Sequence, residues 1–396
     1  MNNIEEFRHT VREWLEENCP ISMRGLMPAD EMVWGGREIE FTNDDQRLWF
    51  ERMRDKGWFC PSWPVEYGGG GLTPEQTTVL ETEMRKLRCR PPQINLGIWM
   101  LGPVLLEFGT EEQKRELLPP MARGEVRWCQ GFSEPNAGSD LASLQTAARV
   151  DGDDLVINGT KIWTSYGDKS DWMYALVRTG PKEPKHAGIS LIVLDMKSAG
   201  VTPTPIDLIS GKSSFCQVFF DDVRVPKTQL IGEINEGWAL AKELLGHERR
   251  AMSKFSEISL PTHFSLLETL FEYLPEPQEH SDIALFQRAM ALRMDEHAFE
   301  LTQRRLNEAA RARQDISSMA AIQKLVHSEQ EKNKFEVLLD VMGRRALGWE
   351  GSAFSDQQLA LTNTWLNAFS QAIAGGTSEV QLNVISKRVL GLPEGK

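Results

Sequence analysis

The chain has 396 residues, 41% of them apolar and 26% charged, with a formal net charge of −13, a balance that fits a globular protein with more than one packed unit. With no basic cluster, that acidity argues against nucleic acid as a partner, because such binding needs a positive footprint to release counterions. The longest apolar run, around Ile189 to Met196, is broken by Ser190 and Asp195 and falls well short of the roughly 20 residues of a membrane span.

In chain order, the first residues, Met1 to Glu6, carry neither the positive region nor the apolar core of a secretory signal, so a cytoplasmic location is expected. Ile4, Phe7, Val11, Trp14 and Leu15 recur at helical spacing, and the segment from Thr110 to Met121 does likewise, which predicts a helical N-terminal domain over 1–127. Inside it, Trp63-Pro64-Val65-Glu66-Tyr67-Gly68-Gly69-Gly70-Gly71 reads as a connecting loop. A phosphate-binding loop is a poor fit there, since no strand precedes it and no Gly-x-Gly-x-x-Gly can be placed.

From 128 to 230 the apolar period changes to alternation and turns become frequent. Asp151-Gly152 and Asn158-Gly159 are hairpin dipeptides, flanked by Leu155-Val156-Ile157 and Lys161-Ile162-Trp163, and further strands are expected at 172–178, 188–194 and 215–220. This predicts a barrel-like β-domain. Pro226 and Gly232 mark its exit, Asn235 is a candidate cap for the next helix, and 231–396 reads as a helical bundle with long segments at 284–313 and 317–347. The expected fold class is α+β.

Two sequences mimic known motifs and fail. Gly211-Lys212-Ser213 ends like a P-loop, but Ile206 stands where its first glycine must be. Gly131-Phe132-Ser133-Glu134-Pro135 starts like a nucleophile elbow, yet Pro135 replaces the closing glycine. The cysteines, Cys19, Cys60, Cys89, Cys129 and Cys216, are scattered without a Cys-x-x-Cys pair, and the histidines lack ligand spacing. Neither a disulfide framework nor a metal site is expected; the cysteines read as small buried hydrophobes.

Glu248 is the candidate for chemistry. On a helix over 238–256 it shares a face with Ala241, Leu244, Leu245, Ala251, Met252 and Phe255, all apolar. A carboxylate in such a stripe is desolvated and gains affinity for a proton, which suits a general base. A structural glutamate paired with Arg249, Arg250 or a distant cation fits the same pattern.

The stretch Phe132-Ser133-Glu134-Pro135-Asn136-Ala137-Gly138-Ser139-Asp140, followed by Lys161-Ile162-Trp163-Thr164-Ser165, resembles the two flavin-facing segments of the acyl-CoA dehydrogenase family. The likeness runs from Trp63-Pro64 to Lys387-Arg388-Val389-Leu390-Gly391. It implies an acyl-CoA dehydrogenase-like order of helical, β and helical domains, FAD as cofactor, an acyl-CoA substrate and an electron-transfer flavoprotein as electron acceptor. Such enzymes remove the α-proton of the thioester with a carboxylate while the β-hydrogen leaves as hydride to flavin N5. In many members that carboxylate lies in a Tyr-Glu-Gly-Thr segment. Here the segment is Ala374-Gly375-Gly376-Thr377-Ser378-Glu379, with Gly375 in its place. Glu248-Arg249 matches instead the helix position used by isovaleryl- and long-chain-type members, and Gly375 would keep a backbone N–H for the thioester oxygen.

The resemblance also implies that Ser133, with Gln130 and Phe132 beside it, meets the pyrimidine side of the flavin, that Trp163 walls the ring and that Ser165 lies near N5. Ser139 and Arg249 would contact acyl-CoA, and Thr377 and Ser378 would approach the flavin. Asn136 replaces a glycine, a change that a left-handed backbone would absorb. The Arg-x-x-Phe-Gly and Gln-x-x-Gly-Gly-x-Gly segments of homotetrameric members have no match around 266–278, and Val341-Met342-Gly343-Arg344-Arg345-Ala346-Leu347-Gly348 is a degraded equivalent of the second. This is similar to the large-subunit type, as in pimeloyl-CoA dehydrogenase large subunits. It implies a homo- or hetero-oligomer, a dimer of dimers, in which a related subunit supplies the missing contacts. A flavin oxidase of the same fold, or a non-catalytic subunit that binds acyl-CoA or scaffolds a partner, stands as the alternative.

Overall fold

The computed structural model describes residues 2–393 apart from 26, 29, 30, 212, 259–263, 277, 278, 313 and 315–318. The chain forms two units, one of Met1–Asp207 with Ser213–Pro261 and one of Leu208–Lys212 with Thr262–Lys396.

The first unit begins with helices α1 (Asn2–Asn18), α2 (Asp44–Asp55), α3 (Pro74–Lys86), α4 (Gly102–Phe108) and α5 (Glu111–Ala122). Their starts are encoded locally. Thr73 and Thr110 each accept from the backbone N–H three residues on, while Gln76 and Gln113 bond back to the cap, so both helices open on a capping box. Glu83 of α3 is buried and ties α3 to α1. It accepts from Arg8 Nη1 at 3.1 Å, Arg12 Nε at 2.9 Å and Lys86 Nζ at 2.8 Å. The segment Trp63–Gly71 is a loop around a short 3₁₀ turn, Val65–Tyr67, as its composition predicts.

Strands β1 (Trp128–Gly131), β2 (Ala147–Asp151), β3 (Asp154–Ser165), β4 (Trp172–Arg178), β5 (Ile189–Asp195), β6 (Val201–Pro205), β7 (Phe215–Pro226) and β8 (Leu230–Ile231) make one eight-stranded sheet. Its order is β6-β7-β3-β2-β4-β5-β8, with β1 parallel to β4. Alternation gives this sheet two different faces. Met173, Ala175 and Val177 of β4, with Ile192 and Leu194 of β5, enter a core made almost wholly by strands. Tyr174, Leu176, Leu191 and Val193 point the other way, into a core shared with Trp49, Leu101, Leu105 and Leu118 of the helical segments. Helix α6 (Gly237–Ile258) brings Leu240, Ala241 and Leu244 to that second core. Each fully buried Leu or Ile contributes about 1.5–3 kcal/mol, so this shared face fixes the sheet against the helices.

Three local expectations change. Asp151-Gly152 does close a hairpin between β2 and β3, but Asn158-Gly159 does not turn the chain: β3 runs straight through it, with a register shift between Ile157 and Gly159. Gly159 has φ +146°, and a Cβ there would stand 2.7 Å from Thr146 Cα, so the glycine serves a bulge rather than a hairpin. Asn235 does not cap α6. Its Oδ1 accepts from Thr179 Oγ1 at 2.7 Å, its N–H donates to Ser190 Oγ at 2.8 Å, and it adopts φ +72°, so its side chain is spent on the sheet. Asn136 is not among the residues with positive φ, so ordinary backbone explains why a glycine is dispensable there.

The second unit is helical: α7 (Leu266–Tyr273), α8 (His280–Arg311), α9 (Met319–Met342), α10 (Asp356–Gln371) and α11 (Ser378–Val384). Helix α9 packs against the other four. Leu270, Ala289, Phe335, Leu338, Leu361 and Ala368 form the core. Ser355 and Gln358 close a capping box at the start of α10. Among the described residues no helix is long and apolar enough to cross a membrane, and no group of His, Cys, Asp and Glu could hold a metal ion. All five cysteines are free; Cys89 alone is half-buried, and the others are buried.

Candidate active site

β1 and β3 hold the two motif segments side by side. Ile162 donates its N–H to Ser133 O at 2.9 Å, and Lys161 Nζ donates to Phe132 O at 3.1 Å and Glu134 Oε1 at 2.7 Å. Glu134 also accepts from the N–H groups of Gln145 (2.6 Å) and Thr146 (2.9 Å). Glu134 and Ala137 exchange both backbone hydrogen bonds, which closes a tight turn over Pro135 and Asn136. Lys161 is wholly buried, and burial pulls its pKa down to about 8 against the attraction of Glu134. Burial acts to raise the Glu134 pKa, but Lys161 and the donors around it outweigh that and hold it below the usual carboxylate value. This buried ion pair is the staple of the site.

Trp163 departs from its strand. It has φ +60° at a register shift between Lys161 and Thr164, and the residue is 54% exposed, its ring edge-on to Phe215 at 6.0 Å. A bulky residue in the left-handed region is strained by about 1–3 kcal/mol, and such strain clusters at ligand sites. Ser165, two residues on from Trp163, and Ser133, whose carbonyl accepts from the neighbouring Ile162, are half-buried, Phe132 is buried, and Ser139 is exposed beyond the turn. Thr164 is buried, with Oγ1 unpartnered. A cavity of about 160 Å³ adjoins the turn, lined by residues including Glu134, Asn136, Gln145 and Thr160; neither Ser133 nor Trp163 contributes to it.

Behind these segments lies Tyr174. It is fully buried, stands opposite Gln130 in the β1–β4 ladder, and meets the Phe132 ring edge-on at 5.9 Å. Its hydroxyl donates to Met100 Sδ (3.0 Å) and Gln130 Oε1 (3.3 Å). Burial first, and the charge of Glu248 second, push the Tyr174 hydroxyl well above its ordinary pKa. Glu248 is thereby an electrostatic neighbour of the Gln130 side of the site. It is half-buried on α6, whose Ala241 and Leu244 are fully buried on the expected face. Met100 lies in a π-helical turn, Gly97–Leu101, against which α6 packs; such turns are frequent at functional sites. The side chains of Arg249, Arg250, Ala251, Met252 and Phe255, and with them that part of the expected face and the Arg249 contact, lie outside the described residues.

Gly375, Thr377 and Ser378 belong to the second unit. Gly375 and Gly376 have φ +66° and +97°, and Thr377 caps α11 by accepting from Val380 N–H at 3.3 Å. Lys324 Nζ donates to Gly376 O at 2.7 Å, Gln381 Nε2 to Gly375 O at 3.3 Å, and Ser378 Oγ to Glu329 Oε1 at 2.9 Å. The Gly-Gly turn is therefore anchored from α9 and α11.

The sequence matches the acyl-CoA dehydrogenase N-terminal domain over residues 2–125, the middle domain over 129–223 and the C-terminal domain over 235–390. It is 33% identical over 410 residues to acyl-CoA dehydrogenase IpdE1 of Mycobacterium tuberculosis, covering 99% of both chains. The chain belongs to the acyl-CoA dehydrogenase family. A second relative, acyl-CoA dehydrogenase FadE34 of the same organism, is 36% identical over 86% of this chain and 45% of its own length. Among solved structures, the ChsE4-ChsE5 complex from Mycobacterium tuberculosis is 26% identical with a TM-score of 0.71, covering 100% of this chain and 99% of that one. The Tcur3481-Tcur3483 steroid ACAD is 25% identical with a TM-score of 0.73 over the same shares.

As a member of the acyl-CoA dehydrogenase family the chain is an oxidoreductase of acyl-CoA metabolism. In the sequence Glu134 and Lys161 are only letters of the two motif segments, with nothing local to mark them as a pair. A lone lysine between Thr160 and Ile162 reads as a surface residue of a strand. The available signal was the acid in the first motif segment and the base in the second, two opposite charges in segments that must lie together. Tyr174 was hidden inside an apolar strand, where only the pairing of β1 with β4 reveals its partner.

Proposed function

We propose that this chain is the catalytic subunit of a hetero-oligomeric, FAD-dependent acyl-CoA dehydrogenase in which Glu248 removes the α-proton of the thioester. The observation that carries the reading is the meeting of three elements in one unit: the paired motif segments with their outward Trp163, the buried Tyr174–Gln130 contact, and α6, the helix of Glu248, packed against the π-helical turn whose Met100 meets the Tyr174 hydroxyl. An exposed aromatic ring held in strained backbone, with Ser165 two residues on and Ser133 on the segment hydrogen-bonded to Ile162, suits a flat polar ring system such as isoalloxazine. Gln130, Phe132, Ser133, Trp163 and Ser165 would hold the flavin ring. Bound FAD supplies the hydride acceptor. Ser139 and Arg249 would contact the CoA moiety.

The pairing with a second, related subunit is supported by two relatives of known structure that are named as complexes of two chains, and by the degraded segment at 341–348. An electron-transfer flavoprotein would take the electrons onward. One relative is named a steroid ACAD, so the substrate class proposed here is an acyl-CoA whose chain carries a bulky ring system. Assay of the chain, alone and with its subunit, against straight-chain and ring-bearing acyl-CoA thioesters with an artificial electron acceptor tests this. Enoyl-CoA formed preferentially from ring-bearing thioesters is the expected result; no dehydrogenation of any acyl-CoA by either preparation would overturn the reading.

A further inference from the structure

We infer that Tyr174 is a positioning residue whose hydroxyl sets the side-chain amide of Gln130, so that the amide N–H donors are presented to the flavin. The inference rests on the reading of Gln130 as a flavin contact, and its test is arranged to fail separately from that reading.

The geometry leaves Tyr174 one task. It has no exposed surface, and a phenylalanine would fill the same space, yet a hydroxyl buried there is unfavourable unless it is hydrogen-bonded. Its single proton is shared between Met100 Sδ at 3.0 Å and Gln130 Oε1 at 3.3 Å. A thioether is a weak acceptor and an amide carbonyl a strong one, so Gln130 is the partner of consequence. Because burial and the Glu248 charge keep the hydroxyl protonated, Tyr174 acts there as a donor, and a donor selects the carbonyl end of the amide. The NH₂ end is then turned away from Tyr174. Gln130 and Tyr174 are direct partners in the parallel ladder, so the backbone holds the two side chains on the same face without needing a mobile loop. Gln130 is itself half-buried, one residue before Gly131 and three before Ser133, where a flavin edge would need donors. Met100 belongs to the π-helical turn that packs on α6, the helix of Glu248, so this hydroxyl joins the cofactor-facing strand to the helix that carries the base.

The test measures FAD affinity by quenching of flavin fluorescence, and the absorbance spectrum of the bound flavin, in the chain together with whatever subunit gives full loading. Thermal unfolding serves as the folding control. Tyr174→Phe is expected to weaken FAD roughly tenfold, the equivalent of one lost hydrogen bond of about 1.4 kcal/mol, and to shift the flavin spectrum. In a Gln130→Leu background the same change is expected to add less than twofold, because its effect passes through Gln130. Met100→Leu, which keeps the volume and removes the competing acceptor, is expected to bind FAD as tightly as the unaltered protein or more tightly. Tyr174→Phe with unchanged affinity and spectrum would overturn the inference, as would independent, multiplying effects of the two substitutions. A Met100→Leu protein as impaired as Tyr174→Phe would show that the loss is one of packing and would also overturn it. Absence of FAD binding by the unaltered protein in every preparation would instead defeat the flavin reading from which the inference starts.

Discussion

Lys161 and Glu134 show how a motif works at the scale of single residues. Two charges in a dry interior are unfavourable apart and tolerable together, so loss of one member strands the other. Lys161→Met should destabilise the first unit by about 3–5 kcal/mol in denaturant unfolding, and adding Glu134→Gln should restore part of that loss by removing the orphaned charge. A double variant no better than the single one would show that the pair matters only through packing. At this scale the sequence was half legible. Ser133, Trp163 and Ser165 stand out in the motif letters, and they fall in two segments that hydrogen-bond to each other. The left-handed backbone of Trp163 was not legible, because nothing in the letters Ile162-Trp163-Thr164 requires φ +60°; it coincides with a register shift in the pairing of β3 with β7, which only the paired strands reveal.

At the scale of elements, the sequence was most readable where a period or a cap spoke for itself. The strand predicted at 172–178 is β4, and the helix predicted from Thr110 starts with Thr110 as its cap. It misled where one dipeptide serves two structures, since Asn158-Gly159 is as apt for a bulge as for a hairpin and only the neighbouring Thr146 decides. Gly159→Ala should therefore cost about 2 kcal/mol or more, through both its φ and the approach to Thr146, measured as a lowered unfolding midpoint. The α1–α3 contact gives a pH test. Arg12 first, helped by Lys86 and Arg8, holds the Glu83 carboxyl down at about 2 against an ordinary value of 4.5. A carboxyl depressed in the folded state stabilises above its unfolded pKa, and that contribution is lost as pH falls through the folded one. Glu83→Gln should thus lower stability at pH 7 by about 2 kcal/mol, less than the full shift implies because Arg12 and Lys86 are themselves about half exposed, and the gap to the unaltered protein should close between pH 4.5 and about 2. A gap independent of pH would mean that the ion cluster contributes nothing.

At the scale of the whole molecule, the change from helix to strand to helix was legible from periodicity, while the way the parts share a core was not. Helices α1–α5, the sheet and the start of α6 form one unit because one face of β4 and β5 is apolar toward the helices, a fact of strand pairing that no single segment carries. If a related subunit completes the cofactor site, the chain purified alone should hold far less than one FAD per polypeptide and gain it on co-purification with that subunit; stoichiometric loading of the chain alone would contradict this. The central claim is that Glu248 is the base. Its most direct test is a single turnover without oxygen: Glu248→Gln protein, fully loaded with FAD, is mixed with an acyl-CoA that bleaches the unaltered protein, and the flavin absorbance is followed. The account predicts that substrate binding persists while bleaching slows by a factor of about 10² to 10⁴, the typical contribution of a general base; bleaching at the rate of the unaltered protein would contradict it.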